Sequence, residues 1–336
     1  MSRASADVRK SVTAMSLRSI MSARVAKQLL LAVTTLLLLS ILVFAAGELL
    51  PGNIGLALLG PFADPEAVAA LNRQLGADQP ALTRYFAWLA GAIRGDFGTS
   101  LQYEIPVAPL VLGALVNSLQ LAMLTLLLVI PFALAAGIWC GLRANSVADR
   151  CIGLFGLSLA VVPEYVTGLA LALVLGVGLQ WLPISAVWDE NASLAVRLQH
   201  LLLPALTLAA GLFGYIARMA RTGVAETVRS DYVRTAILKG LPFHQVVRRH
   251  VLRNALRPTF AVIVAQAGHL IGGLLIVETL FRYDGLGQLI YTAARTKDFP
   301  VLEAGILISG AIYIAVTTLG DNLIAAMDPR RQAVQR

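Results

Sequence analysis

Two kinds of position in this chain are placed where chemistry could use them. The first are ionisable side chains inside or beside long apolar runs: Glu48, Glu164, His269, Glu278 and Asp321. The second is a basic segment, DYVRTAILKGLPFHQVVRRHVLRNALRP, at 231–258 between two such runs. Glu164 follows Pro163, which removes a backbone donor within its run. A carboxylate at membrane depth costs about 2.5–3.5 kcal/mol on insertion scales, so Glu164 should face water or a partner. It either lines a polar path or pairs with an arginine. His269 also has two readings, a helix-packing hydrogen bond or a position on a path. Glu48 and Glu278 fall near the ends of their runs, where hydration is expected to remove most of the cost. Asp321, near the end of the last run, is expected to anchor its helix.

Other chemistry finds no support. No G-x-x-x-x-G-K-[ST] occurs, so the chain itself is not expected to hold ATP phosphates. Neither H-E-x-x-H nor G-x-S-x-G is present. His200, His244, His250 and His269 lack ligand spacing, and Cys140 and Cys151 form neither a metal motif nor a disulfide framework. Both cysteines read as ordinary core or lipid-facing residues. No catalytic, cofactor or metal site is expected, and the chain is not read as an enzyme.

The elements that must carry these residues follow from composition. The 336 residues are 57% hydrophobic and 14% charged, against about 25% charged in globular proteins. The deficit is spread along the whole length and argues for a polytopic all-α membrane protein. The net charge of +8 does not suggest nucleic acid, because the basic residues sit at the ends of apolar runs and not on one soluble face.

Uncharged runs lie at 28–47, 105–142, 151–163 continuing at 165–188, 198–217, 258–277 and 304–320. About 20 apolar residues cross the hydrocarbon core, so six spans are expected. The run 105–142 is too long for one crossing. Its first part, with Pro106 and Pro109, is expected to approach along the surface, and the span to begin near Gly113. With the N-terminus inside, 20 of the 27 lysines and arginines fall in inside segments, so both ends are expected in the cytoplasm. The N-terminus resembles a signal peptide, but its apolar run exceeds the usual 7–15 residues and is read as an uncleaved first span. The resulting division is a cytoplasmic segment 1–27, a first span 28–48, an outer segment 49–112, a core 113–326 and a tail 327–336.

Two connections are more than links. In the outer segment, 65–76 reads as a short helix. The stretch 81–93 reads as an amphipathic interfacial helix with Leu82, Tyr85, Phe86 and Leu89 on one face. It either covers helix ends or meets an external partner. On the other side, Val224 to Leu238 reads as a helix broken by Gly240, and Pro242 starts a second helix through Arg257. Val233, Ile237 and Leu241 form an apolar stripe at i, i+4 and i+8. Arg248, Arg249, Arg253 and Arg257 suit the inner leaflet. Lipid anchoring explains those arginines but not a helix–glycine–helix unit with its own stripe.

At this segment the sequence resembles the permease subunits of ABC importers, in the peptide/nickel branch. Those permeases carry a small-residue triplet followed by glycine. Here Arg234-Thr235-Ala236 occupies the triplet and Gly240 the glycine, with Arg234 and Thr235 replacing the more general Glu-Ala start. Other matches follow in order: Leu50-Pro51-Gly52 (Asn53 replacing Asp), Gly95-Asp96-Phe97-Gly98-Thr99-Ser100, Leu203-Pro204-Ala205-Leu206-Thr207-Leu208, Val277-Glu278-Thr279-Leu280-Phe281 with Gly285-Leu286-Gly287, Asp298-Phe299-Pro300-Val301, and Asp328-Pro329-Arg330. The resemblance implies a type I ABC importer permease fold with a coupling loop at 222–257. It places ATPase docking on Asp231, Tyr232, Val233, Arg234, Thr235, Ala236, Ile237, Leu238, Lys239, Gly240, Leu241 and Pro242. It implies a second permease chain, two ABC ATPases holding ATP and Mg, and an external solute-binding protein, all at a bacterial inner membrane. Peptides are the implied solute, with nickel or another small solute as the alternative. An ion-coupled secondary transporter would show repeated halves, and no repeat is visible.

Overall fold

A computed structural model of the chain describes residues 26–48, 60, 62–74, 79–189 and 191–327. Among them the regular structure is helical. Ala26–Glu48 is α1. Pro65–Gln74 and Ala81–Ile93 are α2 and α3. Val107–Leu142 is α4, Val147–Val161 is α5, and Glu164–Leu171 is α6, which continues as a π-helical stretch Ala172–Gly178. Leu194–Val228 is α7 and Asp231–Leu238 is α8. Helix α9 comprises Phe243–Val246, a π-helical Val247–Val251 and Leu252–Ala255. Arg257–Phe281, Leu286–Thr296 and Phe299–Met327 are α10, α11 and α12.

Helices α1, α4, α7, α10 and α12 are each long and apolar enough to cross a membrane. The remaining expected span is broken: α5 and the Glu164–Gly178 unit are bent by 111°. Val162 takes an extended conformation and Pro163 cannot donate to the preceding turn, so the helix stops and restarts. The pair still runs from one end of the bundle to the other. At its start, Asp149 meets Arg221, in the last third of α7. Just after it, the Ala186 amide donates to the Phe281 carbonyl at the end of α10. It is therefore one broken crossing and not a hairpin, and the count of six stands.

The long run 105–142 departs from expectation. Helix α4 is continuous from Val107, and its first turn absorbs Pro109, where a missing donor costs nothing. Val107 and Val111 are buried against Leu286, Ile290 and Val301, so this part is packed core.

Small residues set the tightest contacts, as in membrane bundles generally. A Cβ on Gly137 of α4 would lie 2.4 Å from the Ala217 carbonyl oxygen, and one on Gly214 of α7 would lie 2.0 Å from that of Gly156 in α5. Helices α4, α5 and α7 thereby pack backbone to backbone. Leu121, Leu203, Leu208, Ile216, Leu274 and Phe281 fill the centre. Leu203 to Leu208, taken from one of the matched motifs, is thus mostly core.

Helix α3 occupies its expected residues, but its apolar residues divide between two sides. Tyr85 and Trp88 gather around Phe44 of α1, and Tyr85 shares a 2.9 Å hydrogen bond with Ser40. Leu82 and Phe86 stay exposed. Helix α2, Pro65–Gln74 among the described residues, lies within the predicted 65–76.

Candidate functional site

The basic connection begins where α7 ends. Its first helix is not Val224–Leu238. Helix α7 runs through to Val228, and the chain breaks at Arg229 and Ser230. The Ser230 hydroxyl donates to the Thr227 carbonyl at 2.6 Å, and its extended backbone opens α8 at Asp231. Serine competes for backbone groups in this way and so ends helices. The second helix also stops early, at Ala255, and Arg257 with Pro258 begins α10.

Helix α8 closes on Gly240, with φ +78°. The Gly240 amide donates to Ile237 and the Leu241 amide to Ala236, the paired bonds of a Schellman motif. Pro242 then starts α9. A Cβ at Gly240 would meet nothing within 4 Å, so glycine is required by the left-handed backbone and not by crowding in this chain.

The expected stripe divides. Val233 is fully buried, and with Ala236 it packs on Val224, Val246, Val251 and Ala255. This small core fixes α8 to the bundle. Ile237 (46% exposed), Leu238 (79%), Leu241 (38%) and Phe243 (55%) form an apolar knob around the Gly240 turn. Asp231, Arg234, Thr235, Lys239 and Pro242 are exposed beside it. Tyr232 is braced by Asn254, whose amide donates to its hydroxyl at 3.1 Å.

The basic end of the bundle is also held by an ion pair. Arg221 donates to both Asp149 oxygens, at 2.7 and 3.1 Å, and the Asn145 amide adds a bond of 2.9 Å. Asp149 thereby ties α5 to α7.

The two candidate path residues come together. Glu164 is the first residue of α6, at the break in the bent span. His269 of α10 lies close enough to interact with it electrostatically. Among the described residues Glu164 forms no ion pair with an arginine. The carboxylate occupies the space a side chain on Gly273 would need, since a Cβ there would lie 2.6 Å from Oε1. His269 shares an exposed stripe of α10 with Ala265, Gly272 and Ile276.

Glu278 overturns its expectation. It is not hydrated at a helix end but fully buried. Ser118 donates to Oε1 at 2.5 Å, and the amides of Gly287 and Gln288 donate to Oε2 at 2.7 and 3.3 Å. The carboxylate therefore caps the N-terminus of α11, where amide donors are otherwise unpaired. Gly285 and Gly287 leave it room: a Cβ on Gly285 would fall 2.3 Å from the carboxyl group. Tyr283 is buried alongside and donates to the Asn117 carbonyl at 2.8 Å; burial pushes its hydroxyl pKa up.

Sequence reasoning missed a second junction. Buried Asp298 accepts from the Ser100 hydroxyl and from the Leu101 and Gln102 amides at 3.2 and 3.3 Å. Two matched motifs, at 95–100 and 298–301, are thus halves of one joint. The available signal was the two matched motifs themselves, one ending on Ser100 and the other opening on Asp298. The motifs at 50–52 and 328–330 lie outside the described residues. No cluster of metal-ligating side chains occurs among the described residues.

Comparison with known proteins agrees with this architecture. Residues 133–333 match the model for the binding-protein-dependent transport system inner membrane component, and residues 21–134 match its N-terminal counterpart. The chain is 34% identical to the glutathione transport system permease protein GsiC of Escherichia coli (strain K12), over 91% of this chain and 97% of that protein. It is similarly 34% identical, over 91% of this chain and 97% of the relative, to GsiC of Salmonella typhimurium (strain LT2). A continuous match over both family models, with six crossings and a protruding helix–glycine–helix unit, leaves one conclusion: the chain belongs to the binding-protein-dependent inner membrane components, the permease subunits of ABC importers, in the peptide/nickel branch.

Proposed function

We propose that this permease carries short peptides into a bacterial cytoplasm as half of a pathway completed by a second homologous permease. An external solute-binding protein delivers the solute, and two ABC ATPases, which hold ATP and Mg, dock on 231–242. The observation that carries the docking assignment is the apolar knob Ile237, Leu238, Leu241 and Phe243, left exposed around the end of a helix whose other face is locked by Val233 and Ala236. A helix so fixed transmits a push instead of rotating freely. The knob lies at the basic end, which lysine and arginine bias places in the cytoplasm. Half-buried Glu164 and exposed His269 support a water-lined path facing the second permease, because lipid would penalise both ionisable groups.

Relatives named as glutathione permeases support a small peptide as the solute, since glutathione is a tripeptide. Nickel is the second reading within the branch. The deciding experiment measures ATP-dependent uptake of dipeptides, longer peptides, glutathione and nickel by the reconstituted complex. Uptake of a peptide supports the proposal, and uptake of nickel alone overturns it.

A further inference from the structure

We propose that Glu164 is a cation-binding station on the path, where its carboxylate takes the ammonium group of the passing solute, such as the free N-terminus of a peptide. The proposal rests on the path reading above and names what the path selects.

Three of the four buried carboxylates among the described residues are satisfied by their own chain. Glu278 and Asp298 each accept from three donors, and Asp149 is held by Arg221 and a backbone amide. Glu164 is different. Among the described residues it accepts no side-chain or backbone hydrogen bond outside its own helix, yet it is only half-buried. Its position at the first residue of α6 favours negative charge, because the free amides of the first turn lie beside it. Gly273 gives the carboxylate room, Gly211 stands 3.9 Å from it as measured from a built Cβ, and Gly272 opens onto free space. The titratable group facing it is His269, whose ring can donate or accept a hydrogen bond. A half-buried carboxylate between glycines, beside the exposed stripe of α10 and without a donor from its own chain, can take a cation from outside it. A primary ammonium supplies three donors, for the two carboxylate oxygens and for the His269 ring or water.

The test uses the full transporter, with partner permease, ATPases and binding protein, in a Cys140→Ala, Cys151→Ser background. Gly272→Cys places a thiol where a Cβ meets no atom within 4 Å. Its reaction rate is measured with a trimethylammonium and a sulfonate methanethiosulfonate during turnover. The cationic reagent is expected to react faster, and Glu164→Gln to lower the cation-to-anion rate ratio by about tenfold, with Glu164→Asp keeping most of it. If Gly272→Cys fails to assemble, His269→Cys on the same stripe supplies the measurement. A reactive thiol whose ratio ignores Glu164→Gln overturns the cation station and leaves the path intact. A thiol in the assembled transporter that is inert even to the neutral methyl reagent overturns the path reading itself.

Discussion

The side chains that decide this molecule's integrity are acids removed from water. Glu278 joins α10 to α4 and α11 through three donors. Glu278→Ala strands the Ser118 hydroxyl and two amides, each costing about 1–3 kcal/mol when buried unpaired. The assembled complex in detergent is therefore expected to melt well below the parent, and Ser118→Ala to fall between them. Gly285→Ala should resemble Glu278→Ala, since its Cβ would overlap the carboxyl group. Gly272→Ala, with open space around it, should be neutral or stabilising by up to about 1 kcal/mol as a helix substitution. Equal melting of the two glycine variants would contradict the cap. Glu278 also marks a limit of reading the chain alone. Its place near the end of an apolar run was visible, but its burial depends on α4 and α11, which are distant in sequence.

At the scale of elements, α8 acts as a fixed knob and the 95–106 loop as a fixed clasp. Gly240→Ala keeps the turn at a cost of about 1–2 kcal/mol, because a left-handed residue with a Cβ is strained. Gly240→Val and Ile237→Asp should reach the membrane at parental abundance but weaken ATPase docking or uncouple hydrolysis from uptake. Co-purification of the ATPases, measured beside uptake, separates the two outcomes. Parental docking and transport in both variants would reduce the segment to an inner-leaflet anchor. Val233→Asp should fail earlier, in folding, because Val233 is fully buried against Val224, Val246 and Val251. The clasp has its own signature. Asp298→Ala removes three bonds that hold Ser100 to Gln102 and should expose that loop to limited proteolysis from the opposite side of the membrane. Unchanged protection would show that the packing of Val107 and Val111 holds the loop without it.

For the whole molecule, six crossings place α1's first residue and α12's last at the basic end. Gly47 approaches Phe299 and Glu303 at the start of α12, and Gly320 approaches Val264 nearer the start of α10. Cysteines replacing Arg94 and Asp189, both exposed at the other end, are expected to react with an impermeant reagent applied outside intact cells. A cysteine replacing Lys239 should react only after the membrane is opened. Labelling of position 239 from outside would invert the assignment of ends. Purified alone, the chain is expected to hydrolyse no ATP above background, since it has no phosphate loop. Activity that tracks this subunit through purification would refute that.

The sequence by itself determined the class of molecule. Hydropathy, charge asymmetry and the glycine of the basic segment are local properties, and a bilayer reads them almost directly. The bounds of α3 and the turn at Gly240 were legible for the same reason. Tertiary structure decided what required two distant segments at once. It turned Val233 inward and left Ile237 and Leu241 outside. It drew Pro109 into a packed helix, bent the third crossing at Pro163, paired Asp298 with Ser100, and buried Glu278 beneath α11. It also set Glu164 beside His269. In each case the deciding energy is a contact across the bundle, and no window of neighbouring residues contains it.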